Sequence, residues 1–73
     1  MEFSIFVFES TYHTMKAERT LKGAKIACKV VTKPRHISSE CGLAVRVLTG
    51  DQGPAETALS QASVAKLGCW PLE

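Results

Sequence analysis

Three stretches of the chain have the hydrophobic pattern of β-strands. Residues 3–8 (FSIFVF) are dense in aromatic and β-branched side chains, which predicts a buried strand. Apolar and other side chains alternate in residues 25–32 and again in Leu43–Leu48. A period of two is typical of a strand with two distinct faces, and Pro34 would end the second strand because it cannot donate to a ladder.

The segment between the first two strands predicts a helix of about three turns. Ser10 or Thr11 can cap its first turn, and Gly23 can end it in the left-handed conformation. Its apolar stripe is narrow and consists of Thr14, Ala17, Leu21 and Ala24.

A second helix is predicted after the third strand. Pro54 suits the first helical position, and Gly68 suits the stop. The buried stripe has small side chains, namely Ala55, Ala58, Leu59, Ala62 and Ala65. These side chains require close packing of the helix on the sheet.

The element order β-α-β-β-α predicts an α/β (α+β) domain of two layers. We expect a three-stranded mixed sheet with both helices on one face, because a right-handed crossover makes the first two strands parallel. The arrangement is a ferredoxin-like split β-α-β without a full last strand, since Trp70-Pro71 is short and broken by proline. Residues 1–73 form one small domain. Leu72-Glu73 resembles a cloning remnant and is given no functional weight.

Two helices on one face leave the other face of the predicted sheet uncovered. Lys29 and Arg46 mark that face, and its apolar members are Val31, Leu48 and either Phe6 and Phe8 or Phe3, Ile5 and Val7. Small monomers rarely expose such a patch, so we expect a homodimer or a partner domain to cover it. The alternative is a semi-polar open face, which antiparallel sheets tolerate.

Charge and hydropathy exclude several classes of function. The net charge of +2 is too small to predict nucleic-acid binding, which calls for a clustered, strongly basic face. No run of apolar residues is long enough to span a membrane. The start of the chain lacks the features of a signal peptide, so we expect a cytoplasmic protein.

The chain has three cysteines, an odd number that predicts free thiols in a reducing compartment. Cys28 follows the pattern of the strand core, and Cys69 near the end is expected to be structural. His13 and His36 are expected at the surface. No close Cys or His pair has the spacing of a zinc site, so no metal and no cofactor are predicted.

Cys41 is the strongest candidate for chemistry. It follows the basic residues Lys33, Arg35 and His36, and nearby cations lower a thiol pKa. Equally, Cys41 can be a small apolar residue at the start of the third strand. Glu40 would oppose thiolate formation by like-charge repulsion. Composition and spacing leave these alternatives open.

The stretch PRHISSECGLA, residues 34–44, resembles the signature of the selenium/sulfur carrier protein-like family. Members carry Pro-Arg-x-Ile-Ser-Ser-x-Cys-Gly-Leu-Ala between two strands, and the first strand and helix are also similar. The resemblance implies that Cys41 carries sulfur or selenium as a persulfide or selenosulfide for transfer from a donor protein to an acceptor protein. The chain would be a carrier more than an enzyme.

On this hypothesis Arg35 and His36 supply positive potential to the thiol, and the backbone from Ser39 to Gly42 can donate hydrogen bonds to the terminal sulfur. One alternative is a non-catalytic interaction or oligomerisation module, in which Arg35, Ser38, Ser39 and Cys41 hold the turn in shape and the exposed sheet face does the binding. Another is a redox sensor that requires a resolving thiol such as Cys69 or a second chain.

Overall fold

The computed structural model describes residues 2–37 and 42–72. Its elements are β1 (Phe3–Val7), α1 (Thr11–Gly23), β2 (Cys28–Thr32), β3 (Leu43–Leu48), α2 (Gln52–Gln61) and β4 (Gly68–Leu72), with one 3-10 turn, Thr49–Asp51, before α2. The sheet order is β2-β3-β1-β4, and every neighbouring pair is antiparallel. The α/β class and the split β-α-β arrangement are therefore confirmed. The prediction of a three-stranded mixed sheet was wrong, because β3 lies between the parallel strands β1 and β2.

The fourth strand was missed because its sequence is short and contains Pro71. β4 lies at the edge of the sheet and pairs with β1 alone, from Val7↔Gly68 to Phe3↔Leu72. An edge strand tolerates proline because the backbone on its outer side needs no partner. Leu72, which was given no functional weight, is therefore a strand residue.

The helix boundaries differ from the sequence prediction in detail. Ser10 caps α1 as expected, and the predicted stripe is buried at Thr14, Ala17 and Leu21. Ala24 is exposed, and the left-handed residue after the helix is Lys25 (φ 62°), not Gly23. Because of this turn, β2 begins at Cys28 and not at Lys25 as predicted.

The second helix ends earlier than predicted, at Gln61, and Ser63 (φ 57°) adopts the left-handed conformation after it. Pro54 is the third residue of α2, not the first. The stripe is buried at Ala55 and Leu59 and partly buried at Ala58 and Ala62, while Ala65 is exposed.

Both helices pack on one face of the sheet, which we call the helix side. The core on this side comprises Phe6, Phe8, Ala17, Leu21, Val45, Val47, Ala55, Leu59 and Val64. The opposite face, which we call the outer face, carries Phe3, Ile5, Val7, Lys29, Val31, Ala44, Arg46, Leu48, Gly68, Trp70 and Leu72 by the strand registers. The central strand β1 is thus packed on both sides.

The outer face is covered in part by the chain itself, contrary to the prediction. Ile37, in the segment between β2 and β3, is only 4% exposed and forms a second cluster with Ile5, Val7 and Ala44. Val31 and Trp70 pack against this cluster. The patch that motivated the predicted homodimer is therefore smaller than expected, and the homodimer stays a prediction.

No helix among the described residues is both long and apolar enough to cross a membrane.

Candidate functional site

The predicted site lies in the connection between β2 and β3. Its central residues, Ser38, Ser39 and Cys41, fall outside the described residues, as does Glu40. The structure describes both flanks of this segment, residues 33–37 and the chain from Gly42 onward. We therefore describe the site through the contacts that fix these two flanks.

Lys33 holds the flanks in place through its backbone and its side chain. Its backbone N–H donates to the carbonyl oxygen of Gly42 at 2.9 Å, which extends the pairing of β2 with β3 to the base of the connection. Its ammonium group donates to the carbonyl oxygens of Pro34, at 3.4 Å, and of Ile37. The N–H of Ile37 donates to the Pro34 carbonyl at 3.2 Å, which closes a tight turn. Residues 33–37 are therefore anchored at both ends.

The predicted supporting residues lie at the surface. Arg35 and His36 occupy the tight turn, and both are exposed. Gly42 is also exposed, and a Cβ atom built on it would meet nothing within 4 Å. The turn thus presents the Arg35 and His36 side chains to solvent, while Ile37 packs in the outer-face cluster.

A groove of about 460 Å³ runs between this turn and β4, and we call it the Trp70 groove. It is lined by Ile5, Pro34, His36, Ile37, Trp70, Pro71 and Leu72. The indole of Trp70 lies against the backbone of Gly68, since a Cβ atom added to Gly68 would be 2.6 Å from Trp70 Cη2. Glycine at this position therefore leaves room for the Trp70 ring.

The two described cysteines are free thiols on the helix side of the sheet. Both are half-buried and pack against the helix-side core, as predicted for Cys28. Burial raises the pKa of the Cys28 thiol, and the nearby Glu18 carboxylate adds to the rise. Burial likewise raises the pKa of Cys69, with a further contribution from Glu56. Both groups therefore stay protonated thiols at neutral pH, which are poor nucleophiles.

His13 takes part in the start of α1. Its Nδ1 lies 2.6 Å from the Ser10 hydroxyl, and its backbone N–H donates to the same oxygen at 3.3 Å. Its ring also meets Tyr12 edge-on, with centroids 5.5 Å apart. Within residues 2–37 and 42–72, no group of three or more His, Cys, Asp or Glu residues is arranged to hold a metal ion.

Sequence reasoning missed three residues that shape the site. Lys33 was counted only as a charge, although it clamps the turn. Ile37 was not assigned to the core, because it lies in an irregular segment where periodicity gives no signal. Trp70 was set aside with the last strand. The alternation of Gly68, Trp70 and Leu72 on one face is the signal that could have revealed β4.

Comparison with known proteins bears on the whole chain. The model of the family described as "Putative Se/S carrier protein-like" matches residues 3–71. No curated protein and no solved structure matched the chain. The family match extends the resemblance in residues 34–44 through both helices and all four strands. The chain therefore belongs to the Se/S carrier protein-like family.

Proposed function

We propose that this protein carries sulfur or selenium between a donor and an acceptor protein in the cytoplasm, and that Cys41 is the carrier thiol. Cys41 would hold the atom as a persulfide or a selenosulfide. The transfer needs no metal or organic cofactor. The protein is a carrier and not an enzyme with a substrate of its own.

The main support for this proposal is the burial of the other two thiols and its effect on their pKa values. Cys28 and Cys69 are half-buried on the helix side, and burial raises both pKa values. A carrier needs a thiolate that a second protein can approach. Of the three cysteines in the sequence, Cys41 is the one left for this role.

The anchored flanks also support the proposal. Lys33 and Ile37 fix the chain just before the segment that contains Cys41, and Gly42 fixes it just after. Arg35 and His36, exposed on the same turn, would supply positive potential that favours a thiolate or a terminal persulfide anion. Backbone N–H groups from Ser39 to Gly42, together with the Ser38 and Ser39 hydroxyls, would donate hydrogen bonds to that anion.

The transfer is a thiol exchange that balances without an external oxidant. The Cys41 thiolate attacks the terminal sulfur of a donor persulfide. The donor S–S bond breaks, a new S–S bond forms on Cys41, and the donor cysteine leaves as a thiolate. The proton on the terminal sulfur stays with that sulfur. An acceptor nucleophile then attacks the same sulfur, and Cys41 leaves as a thiolate.

Sulfur loading tests the proposal directly. The reduced protein is treated with a small persulfide, that of mercaptoethanol, and the modified residue is located by mass spectrometry. We expect one added sulfur on Cys41 in the native chain and in the Cys28→Ser/Cys69→Ser variant, and its release to a second thiol. The Cys41→Ser variant should stay unmodified while folded. Equal loading of Cys41→Ser and the native chain would refute the proposal.

A further inference from the structure

The outer face concentrates positive charge that no described acidic group balances. Lys29 and Arg46 are directly paired across β2 and β3, and Arg35 lies on the turn beside this face. The outer-face positions of all four strands include no Asp or Glu. The two ion pairs among the described residues, Lys22–Glu18 and Lys66–Glu56, involve none of these cations.

The position of Arg46 suits an incoming carboxylate. Its guanidinium carbon lies 4.2 Å from the centroid of the Phe3 ring. Stacking on an aromatic face fixes the guanidinium plane and leaves its N–H edges free for bidentate hydrogen bonds to a carboxylate. Like charges directly opposite in a sheet reduce stability, so the Lys29–Arg46 pair lowers the stability of the free protein and favours an anionic partner.

The Trp70 groove supplies an apolar complement to this charge. Ile5 and Ile37 are almost fully buried at its base, and Trp70, Pro34 and Pro71 form its walls. Its volume of about 460 Å³ lies within the usual range for ligand-binding clefts. A lining made mostly of apolar side chains matches an apolar side chain of a polypeptide. The strand registers place Lys29, Arg46, Ile5 and Trp70 in one row across the four strands, so an extended segment that crosses the outer face can reach the groove and both cations.

We propose that the outer face docks an extended, acidic segment of a partner protein, with an apolar side chain of that segment in the Trp70 groove and its carboxylates on Lys29 and Arg46. The inference rests on the proposed function only in identifying the partner as a sulfur donor or acceptor.

Two other occupants fit the observations less well. In a two-fold dimer both surfaces are the same outer face, whose strand positions include no Asp or Glu, so Lys29 and Arg46 would meet no carboxylate from those strands. A single-stranded nucleic acid needs free aromatic faces for base stacking, whereas Arg46 already covers Phe3 and Trp70 lies against Gly68. Both occupants serve as outcomes of the test.

Selection from a displayed library of random short peptides tests the inference without any sulfur chemistry. Trp70 is the only tryptophan of the chain, so its fluorescence reports the groove when tryptophan-free peptides are titrated. We expect the selected peptides to combine Asp or Glu with an apolar residue and to shift Trp70 emission. The Lys29→Glu/Arg46→Glu variant should bind the selected peptides at least about tenfold more weakly, because the loss of one hydrogen bond to a charged group has an effect of this size.

The matched control carries the same change of net charge on another surface. Lys16 and Arg19 line a shallow cleft on α1 with Tyr12 and Met15. Lys16→Glu/Arg19→Glu should leave peptide affinity within about twofold of the native chain, since distant surface charges act only through the screened field. Circular dichroism confirms that both variants are folded.

Several outcomes would overturn the inference. They are the absence of selected peptides, selected peptides without an excess of acids, and equal weakening by the two variants. Tighter binding of an oligouridine, or a dimer by light scattering that Lys29→Glu/Arg46→Glu dissociates, would assign the face to the other occupants. Loading of Cys41 by the mercaptoethanol persulfide is independent of these results. The proposed function can therefore be correct if the docking inference is wrong, and the docking inference can be correct if the proposed function is wrong.

Discussion

Ile37→Ala tests whether the segment before Cys41 is held on the sheet. Ile37 is 4% exposed and packs on Ile5, Val7 and Ala44. The substitution removes the side-chain carbons beyond Cβ, each worth about 0.8 kcal/mol when buried, or about 2.4 kcal/mol together. A residual cavity adds to this cost, so we expect a loss of about 2–3 kcal/mol in the free energy of unfolding. A chain of 73 residues has roughly 4–11 kcal/mol in total, so the loss is substantial.

Urea unfolding followed by circular dichroism measures this loss, and a thermal scan should show a fall in Tm of about 10–20 °C. Leu67→Ala is the matched control, because the Leu67 side chain is 53% exposed while its backbone N–H donates to Val7. The control should cost about 0.5 kcal/mol or less. If Ile37→Ala costs no more than Leu67→Ala, the segment does not cover the outer face and the account of the anchored turn is wrong.

Two further predictions concern β4 and the helix-side thiols. Gly68→Ala should displace the Trp70 ring, shift its fluorescence emission and lower the free energy of unfolding by about 1–3 kcal/mol. In the control Gly53→Ala the new Cβ in α2 meets nothing within 4 Å, so the free energy of unfolding should stay the same or rise. Unchanged Trp70 emission in Gly68→Ala would refute the contact between Gly68 and the ring. The folded chain binds the protons of Cys28 and Cys69 more tightly than the unfolded chain, because both pKa values are raised. The free energy of unfolding should therefore fall as pH rises above the thiol pKa of the unfolded chain, and the fall should be smaller in Cys28→Ser/Cys69→Ser, as urea titrations at several pH values would show. An equal fall in both proteins would contradict the assignment.

The regular elements were predictable because their signal is local. Alternation identified β3 with the correct bounds, and the capping residue and buried stripe identified α1. The alternation of side chains along β3 also assigned Arg46 to the face opposite the helices. These features depend on neighbours two to four residues apart, which the sequence displays.

The features that the sequence did not reveal depend on distant partners. β4 is stable because it hydrogen-bonds to the edge of β1 that β3 leaves free. The local sequence, which contains Pro71, does not predict a strand. Ile37 is buried because its turn folds back over the sheet, which periodicity cannot indicate. The sequence singled out Cys41 as the strongest candidate thiol, but its local chemistry left reactive and structural roles open. The resemblance of residues 34–44 to a family signature then favoured the reactive role.

The most direct test of the central claim compares the three thiols in one sample. The native protein is alkylated with limiting iodoacetamide at neutral pH, and the modification of each cysteine is followed by mass spectrometry. We expect Cys41 to react first and Cys28 and Cys69 to react slowly until the chain is unfolded, because burial raises their pKa values. Alkylation of Cys28 or Cys69 at a rate equal to or above that of Cys41 would contradict this expectation.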